Sequence, residues 1–216
     1  HRPLPLRLSY ATSVFRYEAP QAGRQREFVQ LGVELIGLER PEADAEMAAM
    51  AVEVCQALGL RRFQIDVGQV EFVRGVVDAL RVTPDQRRQL VSAIRRKDAF
   101  ELERLLEGLN ADQGVKQAVL DLPTLYGGKE ILTRAVRLAA NRRSQEALDN
   151  LTRVYEILEH YGLTDHVIID LGEARAFEYH TGVTFVAFAH GLGSEISRGG
   201  RYDNLIGRFG YPCPAT

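Results

Sequence analysis

The chain has 216 residues, 45% of them hydrophobic, and a formal net charge of −2, which suits one sizeable core, or one core with a subdomain, in an ordinary globular fold. Its apolar runs, such as VIID at 167–170 and VTFVAFA at 183–189, fall far short of the roughly 20 residues that cross a bilayer, so no membrane partner is expected. The charge balance gives no broad attraction for a phosphate backbone, which disfavours RNA, tRNA included, as a partner.

Cys55 and Cys213 stand alone and provide neither a disulfide framework nor a metal-ligand spacing. No metal and no cofactor are expected, and a reducing cytoplasm is the expected location. The first residue is His1, with no basic start followed by an apolar stretch. No targeting segment is read, and a chain incomplete at both ends is expected.

In chain order, Arg7 to Glu18 (RLSYATSVFRYE) spaces β-branched and aromatic residues as a strand does, and Phe28 to Leu38 (FVQLGVELIGL) does the same. Gln30 and Glu34 then share one face of the second strand. Between them APQAGRQRE supplies turn formers at Pro20 and Gly23 and charged tips at Arg24 and Arg26, so the unit reads as a long-looped antiparallel hairpin. From Pro41 the spacing is helical, with Met47, Met50, Val54 and Leu58 as the core stripe and Gly59 as the stop. Arg62 to Val67 alternates as a short strand.

Residues 70–143 read as helical throughout, with Thr83-Pro84 and Asp98 as helix starts. They form a predicted insertion within a single domain of residues 1–216. Ser144 opens a further helix to Tyr161, closed by Gly162, and VIIDLG and GVTFVAF return the chain to strands on either side of EARAFEYHT. The sum is an α+β fold, a mainly antiparallel sheet flanked by helices, whose working surface is the open face of the sheet.

The first constellation with chemical potential is Phe15-Arg16-Tyr17-Glu18, joined through the Arg-tipped loop to Gln30 and Glu34. Guanidinium forks suit phosphate or carboxylate oxygens, and a Gln and Glu pair suits an ammonium group. A solvated hairpin laced with salt bridges accounts for the same residues. His180 reads equally as a partly buried histidine satisfied by a neighbour. Gly199-Gly200 marks a tight turn more readily than an anion cradle. Arg134, Arg137, Arg142 and Arg143 read as a solvated helix face, as do Arg95, Arg96 and Lys97. His160 and His166 suit the negative end of a helix.

FRYEAPQAGRQREFVQLGVELIG at 15–37 resembles motif 2 of the class II aminoacyl-tRNA synthetases in its histidyl version. RAFEYHTG at 175–182 resembles that family's histidine-binding signature, and GGRYDNL at 199–205 the Gly-Gly-Arg-Tyr-Asp segment that follows. Three motifs in order, separated by a helical block, span nearly the whole chain. The resemblance implies a class II synthetase-like fold. It also implies a histidine-binding set of Arg16, Gln30, Glu34, Arg175, Tyr179 and His180, and a nucleotide site at Glu18, Arg24 and Phe28.

The departures from the synthetase pattern are Gln25 and Val29 in the loop segment, and Ala176, Phe177, Glu178, Tyr179 and His180 where the synthetases carry Gly-Leu-Asp-Tyr-Tyr. A catalytic geometry tolerates little displacement. The altered pattern resembles the synthetase paralogues of histidine biosynthesis, the regulatory subunits of ATP phosphoribosyltransferase. That resemblance implies no catalytic residue, a vestigial nucleotide site and a short-form catalytic subunit as partner. It also implies histidine as effector and a homodimer within a hetero-oligomer. An active histidyl-tRNA synthetase and a stand-alone histidine-binding adapter are the alternatives.

Overall fold

A computed structural model describes residues 3–17, 26–173 and 179–216. It opens with the hairpin β1 (Leu6–Phe15) and β2 (Glu27–Ile36), antiparallel in register from Leu6 opposite Ile36 to Phe15 opposite Glu27. Opposed residues share a face, so the even numbers, Tyr10, Thr12, Gln30 and Glu34 among them, stand together, as the spacing predicts. The odd face carries Val29, Leu31 and Val33, all exposed. The first strand ends three residues short of Glu18. One more ladder bond, Arg16 N–H to the Arg26 carbonyl at 2.8 Å, carries the pairing past Phe15.

Helix α1 (Pro41–Ala57) begins on proline, which fits the first turn because its missing N–H has no partner there in any case. The predicted stripe is only partly the buried one. Met47 is buried, but Val54 and Leu58 are exposed, and the inward face is Ala45, Ala48, Val52 and Cys55. Small alanines let this helix lie close against its neighbours, with Met47 and Val52 packed among them, and Val54 and Leu58 fall on the far side.

The main sheet has five strands in the order β4 (Tyr126–Gly127), β5 (Val167–Asp170), β3 (Phe63–Gln69), β6 (Val183–Ala189), β7 (Glu195–Gly200). Among the described residues only the β3–β5 pair is parallel. Helices α2 (Val70–Asp78), α3 (Pro84–Arg95), α4 (Ala99–Glu107), α5 (Gln113–Asp121), α6 (Glu130–Val136) and α7 (Arg142–His160) complete the chain. Ile65, Val67, Val183, Phe185 and Ala187, all on odd positions, join Val52, Leu151, Val154 and Leu158 in one buried cluster. The opposite face carries Asp66, Gly68, Thr184 and Arg198, and it is this face that builds the site. Among the described residues no helix is long and apolar enough to cross a membrane.

Local signals act where predicted at Thr83, which forms a reciprocal capping box with Gln86, and at Asp98, which accepts from the Glu101 N–H. Three details differ. Asn141, not Ser144, caps α7, and Ser144 completes its capping box from the third helical position. Tyr126–Gly127 interrupts the helical stretch 70–143 by pairing with β5. Lys97 is not simply solvated. It sits between α3 and α4 at φ 53°, and its Nζ lies 2.8 Å from Oδ2 of Asp170, a side chain only 5% exposed.

The hairpin joins the rest of the molecule at its base. Leu35 and Thr216 exchange backbone hydrogen bonds of 2.8 and 3.0 Å, and the Tyr202 N–H donates to the Ala215 carbonyl at 2.7 Å. Arg7 pairs with Glu46 of α1 at 2.6 Å.

Candidate ligand site

On the even face of the hairpin the Arg16 guanidinium donates to Gln30 Oε1 at 3.1 Å, and Gln30 Nε2 donates to the Tyr10 hydroxyl at 2.8 Å. Arg16 also lies over the Phe28 ring, 5.0 Å from its centroid. Gly32 makes this possible. A Cβ at position 32 would lie 2.2 Å from Tyr10 Cζ, so only glycine lets the tyrosine cross the strand to reach Gln30.

Glu34 accepts a hydrogen bond from the Tyr202 hydroxyl. Burial, and then the hydrogen bond and charge of Glu34, push the Tyr202 phenol well above its usual range, so it stays a donor to the carboxylate. Tyr202 is held from the side by Arg201, whose Nε lies 3.0 and 3.1 Å from the two oxygens of Asp44 and whose Nη1 lies 3.0 Å from Asp203. Both Arg201 and Asp44 are buried. The Leu38 and Arg40 carbonyls at 3.3 Å fill the remaining guanidinium positions, so each charge keeps a partner out of water.

Behind the hairpin the main sheet supplies the second half of the site. The Tyr179 and His180 rings lie with centroids 4.1 Å apart and planes tilted by 32°, and His180 is only 4% exposed. Glu173, also buried, lines the same small cavity with Thr184 and Val186. Gly199 and Gly200 form no turn. They end β7, and a Cβ on Gly200 would lie 2.7 Å from His180 Cδ2, so the glycine admits the imidazole against the strand. The Thr181 N–H, next to His180, donates to the carbonyl of Arg201, next to Tyr202, at 2.8 Å, which places the two halves side by side.

Of the predicted histidine-binding residues, Arg16 and Gln30 are joined directly, Glu34 meets Tyr202, and Tyr179 and His180 line the cavity. Phe28 lies under Arg16. Arg175, Glu18 and Arg24 lie outside the described residues, as do Gln25 and residues 176–178. Sequence reasoning missed Tyr10, Glu173, Thr184 and Tyr202 as members of the site. Tyr202 stands inside a quoted motif, but no single-sequence signal aims its hydroxyl at Glu34. A larger cavity of about 350 Å³, lined by Gln69, Arg143, Asn150 and Thr181 among others, contains none of the predicted residues. Among the described residues no cluster of three or more His, Cys, Asp or Glu side chains is arranged to hold a metal.

The family model described as histidyl-tRNA synthetase matches residues 1–216. The chain belongs to the histidyl-tRNA synthetase family. Within it, the chain is 50% identical over 214 residues to an ATP phosphoribosyltransferase regulatory subunit of Syntrophotalea carbinolica, covering 99% of this chain and 50% of that protein. It is 47% identical over 214 residues to the protein of that name from Geobacter metallireducens, covering 99% of this chain and 49% of the relative. The chain thus spans about half the length of these curated relatives. A solved structure from Bacillus halodurans, described as an ATP phosphoribosyltransferase regulatory subunit/histidyl-tRNA synthetase, superposes with a TM-score of 0.91 at 32% identity, over 99% of this chain and 56% of that one. The class II synthetase-like fold expected from the three motifs is the fold observed.

Proposed function

We propose that this chain is the synthetase-like core of a regulatory subunit of ATP phosphoribosyltransferase. It catalyses nothing itself. In this reading it binds the short-form catalytic subunit in the cytoplasm, as a homodimer within a hetero-oligomer, switches on transfer of the phosphoribosyl group to ATP, and relays inhibition by histidine. Residues 70–143 act as a helical insertion in this domain. Glu18, Arg24 and Phe28 are the remnant of a nucleotide site, and the effector's polar end is held by Arg16, Gln30, Glu34 and Arg175.

The observation that carries this reading is the near half identity to named regulatory subunits along almost all of the chain. The site is consistent with it: a nearly buried His180 occupies a position where the synthetases carry tyrosine, and a zwitterionic ligand finds both carboxylate and guanidinium partners on one surface. Histidine acts allosterically if it binds the active and inactive states of the complex differently.

Mixing the full-length protein with the short catalytic subunit of the same organism tests the proposal. The two should co-elute on size exclusion. Phosphoribosyl transfer should appear only in the mixture, and histidine should change it with a coupling of about 1–3 kcal/mol, roughly 5- to 150-fold. A mixture that neither co-elutes nor gains activity at micromolar concentration refutes it. One observation favours a second reading: the Bacillus halodurans structure carries both names. Charging of tRNA with histidine at synthetase-like rates would establish that reading instead.

A further inference from the structure

The main chain that carries His180 is gripped from two sides. Val70, the first residue of α2, donates its N–H to the Gly182 carbonyl at 3.1 Å, and Nη1 of Arg74, one turn along the same helix, donates to the His180 carbonyl at 2.9 Å. From the other side the segment after β7 takes Thr181, whose N–H donates to the Arg201 carbonyl and whose hydroxyl donates to Asp203, each at 2.8 Å. A guanidinium brings a charge-assisted hydrogen bond to its carbonyl, stronger than a neutral one.

Arg74 is itself held in place. Glu71, three residues earlier on α2, pairs through one oxygen with the same Nη1 and through the other with Arg143 of α7. Arg143, which the spacing assigns to a solvated face, also lies 2.7 Å from Oδ2 of Asp78 at the end of α2, and Oδ1 of Asp78 lies 2.6 Å from Arg87 of α3. Charges of alternating sign therefore run from the His180 carbonyl across three helices. The Arg74 side chain is 15% exposed, those of Arg143 and Arg87 42% and 40%, and ion pairs as open to water as the outer two add little to stability. What they supply is orientation. The helices they link are already close: a Cβ on Gly75 would lie 2.7 Å from Ser144 N, and Asn141 Nδ2 donates to the Gly75 carbonyl at 2.6 Å, so α2 meets the start of α7 with no side chain between them.

We propose that Arg74 is a positioning residue of the effector site, fixing His180 from outside the cavity, and that Arg143 fixes Arg74 through Glu71. The inference rests on the histidine-binding reading above and adds a control to it: a shift of α2 against α7 alters affinity without touching the ligand. Side chains that line a site keep their geometry only when supporting contacts lock them, and neither arginine lines the cavity of His180.

The test is calorimetric titration with histidine, accompanied by ligand-free thermal melts, of full-length wild type, Arg74→Met, Arg143→Met and the double variant. Methionine keeps an apolar stem and removes every donor. Affinity should fall about tenfold in Arg74→Met and about threefold in Arg143→Met. The double variant should bind as Arg74→Met does, because Arg143 acts only through Arg74. A role confined to folding would move the melts and leave the affinities equal, which overturns the proposal and leaves the histidine site standing. Losses that multiply in the double variant make the two arginines independent and overturn it as well. Should Arg74→Met fail to fold, Arg143→Met decides: a loss of affinity with an unchanged melt supports the proposal, and wild-type affinity refutes it. Wild-type protein that binds no histidine removes the histidine reading itself, and this proposal with it.

Discussion

The two halves of the site are supported in opposite ways. The hairpin half stands on a ribbon that is exposed along its odd face and half-buried along most of its even face, and its polar groups are positioned by one another, Arg16 by Gln30, Gln30 by Tyr10, Glu34 by Tyr202. The sheet half is positioned by burial: His180, Thr184 and Glu173 are each less than a tenth exposed, and Thr184 stands on a strand whose other face lies in the core. Hydrogen bonds among exposed groups compete with water and contribute little net stability, whereas a core-backed strand cannot shift without opening a void. The hairpin can therefore adjust to a ligand's polar end, and the sheet offers a cavity of fixed shape.

The largest effect that sharpens this contrast is expected where the halves are joined. Replacing Arg201 by Met leaves Asp44, buried at 1% exposure, without its partner, and should cost about 3–5 kcal/mol of stability in urea unfolding. Adding Asp44→Asn to the Arg201→Met protein should recover part of that loss. Full stability in Arg201→Met would show that the segment carrying Tyr202 is held by other contacts.

Next in size is Glu34→Gln, which keeps an acceptor for the Tyr202 hydroxyl and removes the charge proposed to meet an ammonium. Histidine affinity measured by calorimetry should drop by about 2 kcal/mol or more, roughly 30-fold, with the melting temperature barely changed. Unaltered affinity places the ammonium elsewhere.

The smallest effect belongs to the outer face of the hairpin. Leu31, 68% exposed, should tolerate Thr with a stability change within about 0.5 kcal/mol in this 216-residue chain. A loss well above 1 kcal/mol would mean that the apolar face of Val29, Leu31 and Val33 is covered, and the contrast between an open hairpin and a backed sheet would fail.

Much of this was legible in the amino-acid order. Period-two spacing put Gln30 and Glu34 on one face, and the caps at Thr83 and Asp98 act through short-range chemistry that a single sequence displays. Periodicity failed in α1, where alanines rather than the larger Val54 and Leu58 face inward, because closeness of approach to the sheet decides which face is buried. It failed again at Gly199-Gly200, where the local meaning of a glycine pair is a turn and the actual need is room for Phe185 of β6 and for His180, which precedes that strand. Tyr10, Tyr202 and Thr184 escaped notice for the same reason: each acquires its role from a partner on another strand or across the fold.

Lys97 carries that lesson into the way two distant segments hold each other. The turn between α3 and α4 holds a non-glycine residue at φ 53°, a conformation that costs a lysine roughly 1 kcal/mol or more. What offsets the strain is distant in sequence: Asp170 at 2.8 Å and the Tyr126 ring 5.1 Å from Nζ. Without β5 the turn keeps only local hydrogen bonds such as Lys97 N–H to the Ile94 carbonyl at 2.9 Å, and without the lysine the buried Asp170 loses the cation 2.8 Å from its Oδ2 and keeps the Gly172 N–H at 2.9 Å on Oδ1. Each segment is stabilised by the other, so the α3–α4 corner and the end of β5, three residues before Glu173, are coupled, and loosening one weakens the other.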